Sequence, residues 1–187
     1  MNTIRKLGVL ELQKYSDHLL RLNADDRYLR FGTRIDDAAI IRHVQTKSKD
    51  KKIILAAFDD TLNVIAACEV AFILNKNSVF ADVAEIGLSV EISQRGQGLG
   101  TELFERALIV ARNRRVKVFT SYCLTRNGFM MHIAKAHGMH IETDHGSSEA
   151  TVQLDAYDAS SVLEEMLGEG MAMVENTNNM IRNMWFK

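Results

Sequence analysis

Apolar and polar positions along the chain follow two periods, and each change of period marks a predicted element. Residues 3 to 9 read as a short strand. From about Glu11 to Leu22, the side chains Leu12, Tyr15, Leu19, Leu20 and Leu22 fall on or near one face, which predicts a helix. The segment Asp25-Asp26-Arg27-Tyr28-Leu29-Arg30-Phe31-Gly32 is dense in charge and aromatics and closes on a glycine of the kind that ends a helix. Asp36 or Asp37 caps the next helix, which carries Ile40, Ile41 and Val44. Lys47 to Lys52, rich in lysine and serine, reads as a loop.

At Lys52 the pattern becomes strand-like. Ile53 to Phe58 is a continuous apolar run, Asp59-Asp60 turns the chain, and Val64 to Leu74 is a second run, so an antiparallel hairpin is predicted. Asn75-Lys-Asn77 turns it again into a third strand, Val79 to Ile92. A helix from about Gly98 to Asn113 and a buried strand from Val116 to Leu124 follow. Strand, helix, strand implies a right-handed crossover, which sets this strand parallel to the one before the helix. Asn127 to His137 is helical, with Met130, Ile133, Ala134 and His137 on one face and Gly138 at its end. Met139 to Thr143 and Glu149 to Leu154 flank a His145-Gly146-Ser-Ser turn as a hairpin. The tail from Asp158 to Trp185 has helical spacing at Leu163, Met166, Leu167, Met171 and Val174, weakened by Gly168 and Gly170. Its methionine-rich face suits core or dimer contact. The sum is one α+β domain over residues 1–155, a mixed central sheet with an antiparallel meander and a parallel pair, flanked by helices. A helical extension of the same domain covers 156–187.

Glycines concentrate where strand meets helix, in Glu91-Ile-Ser-Gln-Arg95-Gly96-Gln97-Gly98-Leu99-Gly100-Thr101. A strand, a glycine-rich turn and an uncapped helix start gather free backbone N–H groups around one concavity, a seat for a phosphate. The spacing fits neither the dinucleotide fingerprint G-x-G-x-x-G nor the G-x-x-x-x-G-K-S/T loop.

The length of 187 residues suits one domain, and the formal net charge of −1 argues against a nucleic-acid or membrane-surface binder that works through a basic field. Cys68 and Cys123 lie in apolar runs and read as reduced core thiols, and no histidine spacing suggests a metal. The first residues lack the apolar core of a signal peptide, so a cytoplasmic protein is expected.

Arg95-Gly-Gln-Gly98-Leu-Gly100 matches Q/R-x-x-G-x-G/A at every specified position. In this the chain resembles the GNAT superfamily of acyl-coenzyme A-dependent N-acyltransferases. Downstream, Asn127-x-x-Met130-x-x-Ile-Ala-Lys-x-x-Gly138-Met139 looks like that family's second helix segment. The resemblance, which covers roughly residues 3 to 155, implies the GNAT fold, acetyl-CoA as co-substrate, no metal, and acetyl transfer to a primary amine, either a protein lysine or a small molecule. It implies a pantetheine arm paired along Leu88, Ser89 and Val90, where two parallel strands splay near Val90 and Ile92. The pyrophosphate would be held by Arg95, Gly96, Gln97, Gly98, Leu99, Gly100 and Thr101, with Asn127 and Met130 beside the cofactor. Ala84-Glu85-Ile-Gly-Leu-Ser-Val90 and Asp26-Arg27-Tyr-Leu-Arg-Phe31 are also similar to Pat-type bacterial protein-lysine acetyltransferases, which implies Glu85 as general base.

An amine of the lysine type, with a pKa of roughly 10.4, needs a base before it can attack a thioester directly. Glu85 is the first candidate, Glu69 the second and Glu91 the third. A backbone N–H near Val90 would meet the oxyanion. Where the family often has a tyrosine acid this chain has Ala134; Tyr122, Cys123 and His132 are nearby alternatives, and the acid is left open. A non-catalytic acetyl-CoA sensor is the competing expectation, and a homodimer is a further one.

Overall fold

The structure, a computed structural model, describes residues 3–46, 52–74 and 81–185. The expected loop over 47–51 and the turn at Asn75–Asn77, with the start of the following strand, lie outside the described residues. Among the described residues the strands are β1 (Thr3–Lys6), β2 (Lys52–Phe58), β3 (Val64–Leu74), β4 (Ala81–Val90), β5 (Val118–Leu124), β6 (His140–Asp144) and β7 (Ser147–Gln153). They form one sheet in the order β1-β2-β3-β4-β5-β7-β6, antiparallel except for β4 and β5. The helices are α1 (Leu12–Arg21), α2 (Ala24–Phe31), α3 (Asp37–Gln45), α4 (Leu99–Asn113), α5 (Gly128–Ala136) and α6 (Ala159–Trp185). The expected α+β class and mixed sheet are therefore present.

Alternation along the strands divides the core in two. Ala66, Cys68, Val70, Ile86, Leu88 and Val90 pack under α4 and α5 with Leu103, Phe104, Ala107 and Ile133. On the other face Ile54, Ala56 and Ala67 meet Tyr15, Leu19, Ile40 and Val44 from α1 and α3. The helices on this second face are fixed by their ends. Asn23 caps α2 by accepting from the Asp26 N–H, Gly32 ends it at φ +70°, and Asp36, not Asp37, caps α3 by accepting from the Ala39 N–H at 2.7 Å.

Two elements differ from expectation, and a third, the tail, is helical as expected. The first strand stops at Lys6, because the Arg5 guanidinium grips both Glu11 carboxylate oxygens at 2.7 and 2.6 Å and holds residues 9–11 in a 3-10 turn leading into α1. The last hairpin turns on two residues instead of four: His145 and Gly146 have φ of +44° and +86°, a pair of left-handed residues that matches strand twist and brings Ser147 and Ser148 into β7. The tail forms a continuous helix in spite of Gly168 and Gly170. Glu165 anchors it to Lys6, to Asn113 Nδ2 at 2.5 Å and to Arg114 at 3.3 Å, while the Ser161 hydroxyl donates to Asn113 Oδ1 at 2.6 Å. Tertiary anchoring overrides the low helix propensity of two glycines.

Candidate active site

β4 and β5 pair in parallel only at Val83↔Val118, Ala84↔Phe119 and Glu85↔Thr120. Beyond that point both strands continue unpaired with each other, β4 to Val90 and β5 to Leu124. The opening thus begins earlier than Val90 and Ile92. Because the Glu91 N–H donates to the Ile65 carbonyl at 3.0 Å, ladder alternation turns the N–H and C=O groups of Ile86, Leu88 and Val90 away from β3 and into the opening. Those of Ser89 face β3, so Ser89 offers its side chain, not its backbone.

Across the mouth lies α2, with Leu29 and Arg30 facing Leu88 to Val90 and the glycine loop around a cleft of about 380 Å³. The loop is shaped for close approach. Gly96 and Gly98 take φ of +76° and +80°, and a side chain on either would project into open space. Helix α4 begins with no side-chain cap, so its first N–H groups face the cleft. Gly100 also meets α5: a Cβ there would fall 2.1 Å from the end of the Phe129 ring, which would have to swing away. Arg95 ties the loop down, donating to Asp26 at 2.5 Å and to the Val90 carbonyl at 3.3 Å.

The expected cofactor residues Leu88, Ser89, Val90, Arg95, Gly96, Gly98, Leu99, Gly100, Thr101 and Asn127 all line this cleft. Two do not. Gln97 turns outward, where its amide donates to Gln94 at 3.3 Å, and Met130 is buried in the core under α5. Asn127 caps α5 by accepting from the Met130 N–H at 3.2 Å. Leu22, Leu29 and Phe129 also line the cleft; they were missed because an apolar residue carries no motif, and only the tertiary fold brings α2 and α5 to the opening.

On the far side of Arg30 lies a second cavity of about 360 Å³, lined by His43, Glu69, Glu85, Gly87, Tyr122 and Cys123 among others. Arg30 lines both spaces, and Gly87 makes this possible, since a Cβ there would sit 2.1 Å from the guanidinium carbon. Glu69 is buried and committed: it accepts from Tyr15 at 3.2 Å and pairs with His43 at 3.0 Å and Lys52 at 3.7 Å. Burial alone would raise its pKa, but the His43 hydrogen bond and the Arg30, His43 and Lys52 charges outweigh burial and hold it at about 2. Glu91 is equally committed, to His18 and Arg21 at 3.1 and 2.8 Å. Glu85 is half-buried and has no hydrogen-bond or ion-pair partner among the described residues.

The alternatives for the acid separate as well. The Tyr122 hydroxyl, at the mouth of the second cavity, donates to Glu149 at 2.7 Å; that bond, with some burial and the nearby carboxylates, raises its pKa. Cys123 lines the same cavity, its pKa raised by burial, whereas His132 is exposed on α5 and lines neither space. Ala134 is buried beneath α5.

A parallel strand pair that parts over a glycine loop, with an uncapped helix start at its end, frames a cleft suited to a phosphate-bearing ligand. Residues 17–139, more than half of the chain, match the acetyltransferase (GNAT) family, and the protein belongs to that family. It is an acyltransferase. Its fold is shared with the GNAT domain of S. lividans PAT (21% identity, TM-score 0.68, covering 81% of this chain and 89% of that one). It is shared also with a GNAT-family acetyltransferase from Streptococcus pneumoniae (16%, 0.64, 83% and 100%). The acetyltransferase yncA from Salmonella typhimurium, whose structure contains its cofactor acetyl-CoA, is a third relative (16%, 0.58, 85% and 97%). No curated protein sequence matches the chain. None of its described helices is long and apolar enough to cross a membrane.

Two outcomes follow from this geometry. Gly98→Val should weaken coenzyme A binding, measured by calorimetry, by about tenfold or more, because left-handed backbone costs a β-branched residue about 1–2 kcal/mol or more and the side chain enters the cleft; normal affinity in a folded variant would refute the anion seat. Glu69 has a depressed folded-state pKa, so its stabilisation is complete above the ordinary 4.5 and is lost as pH falls towards about 2. Glu69→Gln should cost about 1–3 kcal/mol at neutral pH and lose less stability than the wild type on acidification through that window, read from urea midpoints.

Proposed function

We propose that the protein transfers the acetyl group of acetyl-CoA to a primary amine, of a protein lysine or a small molecule, by direct attack on the thioester. The open edge at Leu88 and Val90 supports pairing with the amides of the pantetheine arm. The N–H groups from Gly96 to Thr101, with Arg95, suit the pyrophosphate, and Asn127 borders the same cleft. The Val90 N–H would receive the oxyanion. A cytoplasmic location belongs to the same reading and is supported by the two free thiols Cys68 and Cys123. Residues 1–155 form the catalytic unit in this reading, and 156–187 extend it.

The observation that carries the proposal is that Glu85 has no hydrogen-bond or ion-pair partner among the described residues. Of the three candidate carboxylates it alone is uncommitted, and it stands in the second cavity where β4 and β5 begin to part. It takes the proton from the incoming amine, directly or through one water. Glu69 at about 2 is far too acidic for that task, which asks for a base matched to neutral pH. The Glu85 carboxylate favours a cationic acceptor in that cavity, since the charge of Glu69 is already met by Arg30, His43 and Lys52.

Glu85→Gln should lower kcat by about 100- to 10,000-fold while calorimetric affinity for acetyl-CoA stays within twofold or so. Unchanged turnover with lysine peptides and an amine panel would remove Glu85 from the role, and binding without turnover in the wild type would favour the sensor. A homodimer is proposed through the outer face of α6, where Leu167, Met171, Val174, Asn178 and Ile181 alternate four- and three-residue spacings and stand exposed. Sedimentation should give twice the monomer mass and should shift to monomer for Val174→Glu; a monomeric wild type would dismiss the interface.

A further inference from the structure

Ser89 is the one residue of β4 that presents a nucleophile to the cleft. Its side chain points to the α1 face, and its Oγ lies 2.9 Å from His18 Nε2. His18 is fully buried on α1, and its other ring nitrogen, Nδ1, lies 3.1 Å from Glu91 Oε1. Arg21 holds the Glu91 carboxylate in place through Nε at 3.0 Å. An ionised carboxylate can only accept, so Nδ1 carries the hydrogen and Nε2 presents a lone pair to the serine hydroxyl. Burial outweighs the opposing effect of Glu91 and lowers the His18 pKa, so the resting ring is neutral, while the Glu91 carboxylate favours the imidazolium once it forms. The hydroxyl, imidazole and carboxylate thus stand in the order that activates a serine. The N–H of the next residue, Val90, faces the opening, the position from which a nucleophile's neighbour stabilises an oxyanion.

We propose that Ser89, His18 and Glu91 give this protein a second, amine-independent activity: hydrolysis of acyl-coenzyme A through an acyl-serine at Ser89. The proposal rests on the reading that acyl-CoA occupies the cleft. In acylation, Ser89 Oγ bonds to the thioester carbonyl carbon while its proton passes to His18 Nε2. The carbon–sulfur bond then breaks, and the imidazolium returns that proton to the departing thiolate. In deacylation, His18 takes a proton from a water as its oxygen attacks the ester, and the proton returns to Ser89 Oγ as the carbon–oxygen bond breaks, leaving a carboxylic acid. Glu91 is a positioning residue throughout, fixing the tautomer of His18. With an amine seated beside Glu85, direct transfer competes with this route, and without one the serine route is what remains.

The full-length protein with acetyl-CoA and no amine provides the test, read by free-thiol release, by intact and peptide mass after acid quench, and by calorimetry. The wild type should release thiol and carry one acetyl group on the peptide containing Ser89. Ser89→Ala should reduce amine-free release by about 100-fold or more, while acetyl-CoA binding remains measurable. Ser89→Cys, which keeps a nucleophile in a side chain of similar size, should still acylate, now as a thioester cleaved by hydroxylamine. A wild type that binds acetyl-CoA but shows neither release nor label would overturn the proposal, as would undiminished release in Ser89→Ala or label confined to another residue. A wild type that fails to bind acetyl-CoA would instead overturn the cofactor reading, and the serine route with it.

Discussion

The end of the hydrogen bonding between β4 and β5 is the constraint on which the site depends. Three residue pairs join the two parallel strands, and the third, Glu85 with Thr120, is the last. Backbone groups that lose their partners must find others or meet solvent, since burying them unpaired is costly. Here they border an open cleft, so the molecule keeps a strand edge in its centre instead of at its rim. The glycine loop and the start of α4 follow directly from the unpaired end of β4. The helix α5, entered through the Asn127 cap, follows from the unpaired end of β5. Both walls of the cleft are therefore consequences of one break in a ladder.

Between the cleft and the second cavity stands a network of charges centred on Arg30. Its guanidinium rests on Gly87, donates to the Tyr15 hydroxyl at 3.3 Å and lies close in charge to Glu69, which is in turn held by His43 and Lys52. A buried charge is tolerated only when paired, and the network satisfies Glu69 from three sides. It also divides the space into the cleft bordered by the glycine loop and a cavity with carboxylates, where Glu85 is the acid with no partner among the described residues. Removing Arg30 or Glu69 would take away a principal charge partner in the wall between the two.

How much of this was legible in the sequence depended on the range of the interaction. The glycine loop, the crossover that makes β5 parallel, and the Asn127 helix are local patterns and appear at the expected places. The cap of α3 resolves to Asp36 because capping geometry is local too. The two-residue turn at His145 and Gly146 was misjudged by two positions, since serines suit a turn and an edge strand alike. The role of Gly100 against Phe129, the contact of Gly87 with Arg30 and the triad of Ser89 with His18 and Glu91 join residues far apart in sequence. No periodicity reports such pairs. His18 in particular reads as one polar position on an amphipathic helix until α1 is seen to lie on β4.

The anchoring of α6 also bears on how the chain assembles. Lys6, in the first strand, is paired with Glu165, near the start of the last helix, so this contact closes a loop of nearly the whole polypeptide. Contacts of such sequence separation form late, because closing entropy is spent before they return anything. The residues that line the cleft beside the glycine loop run from Leu22 to Phe129 and are all made before α6 leaves the ribosome. The nascent chain can thus complete its cleft first and join β1 to α6 afterwards.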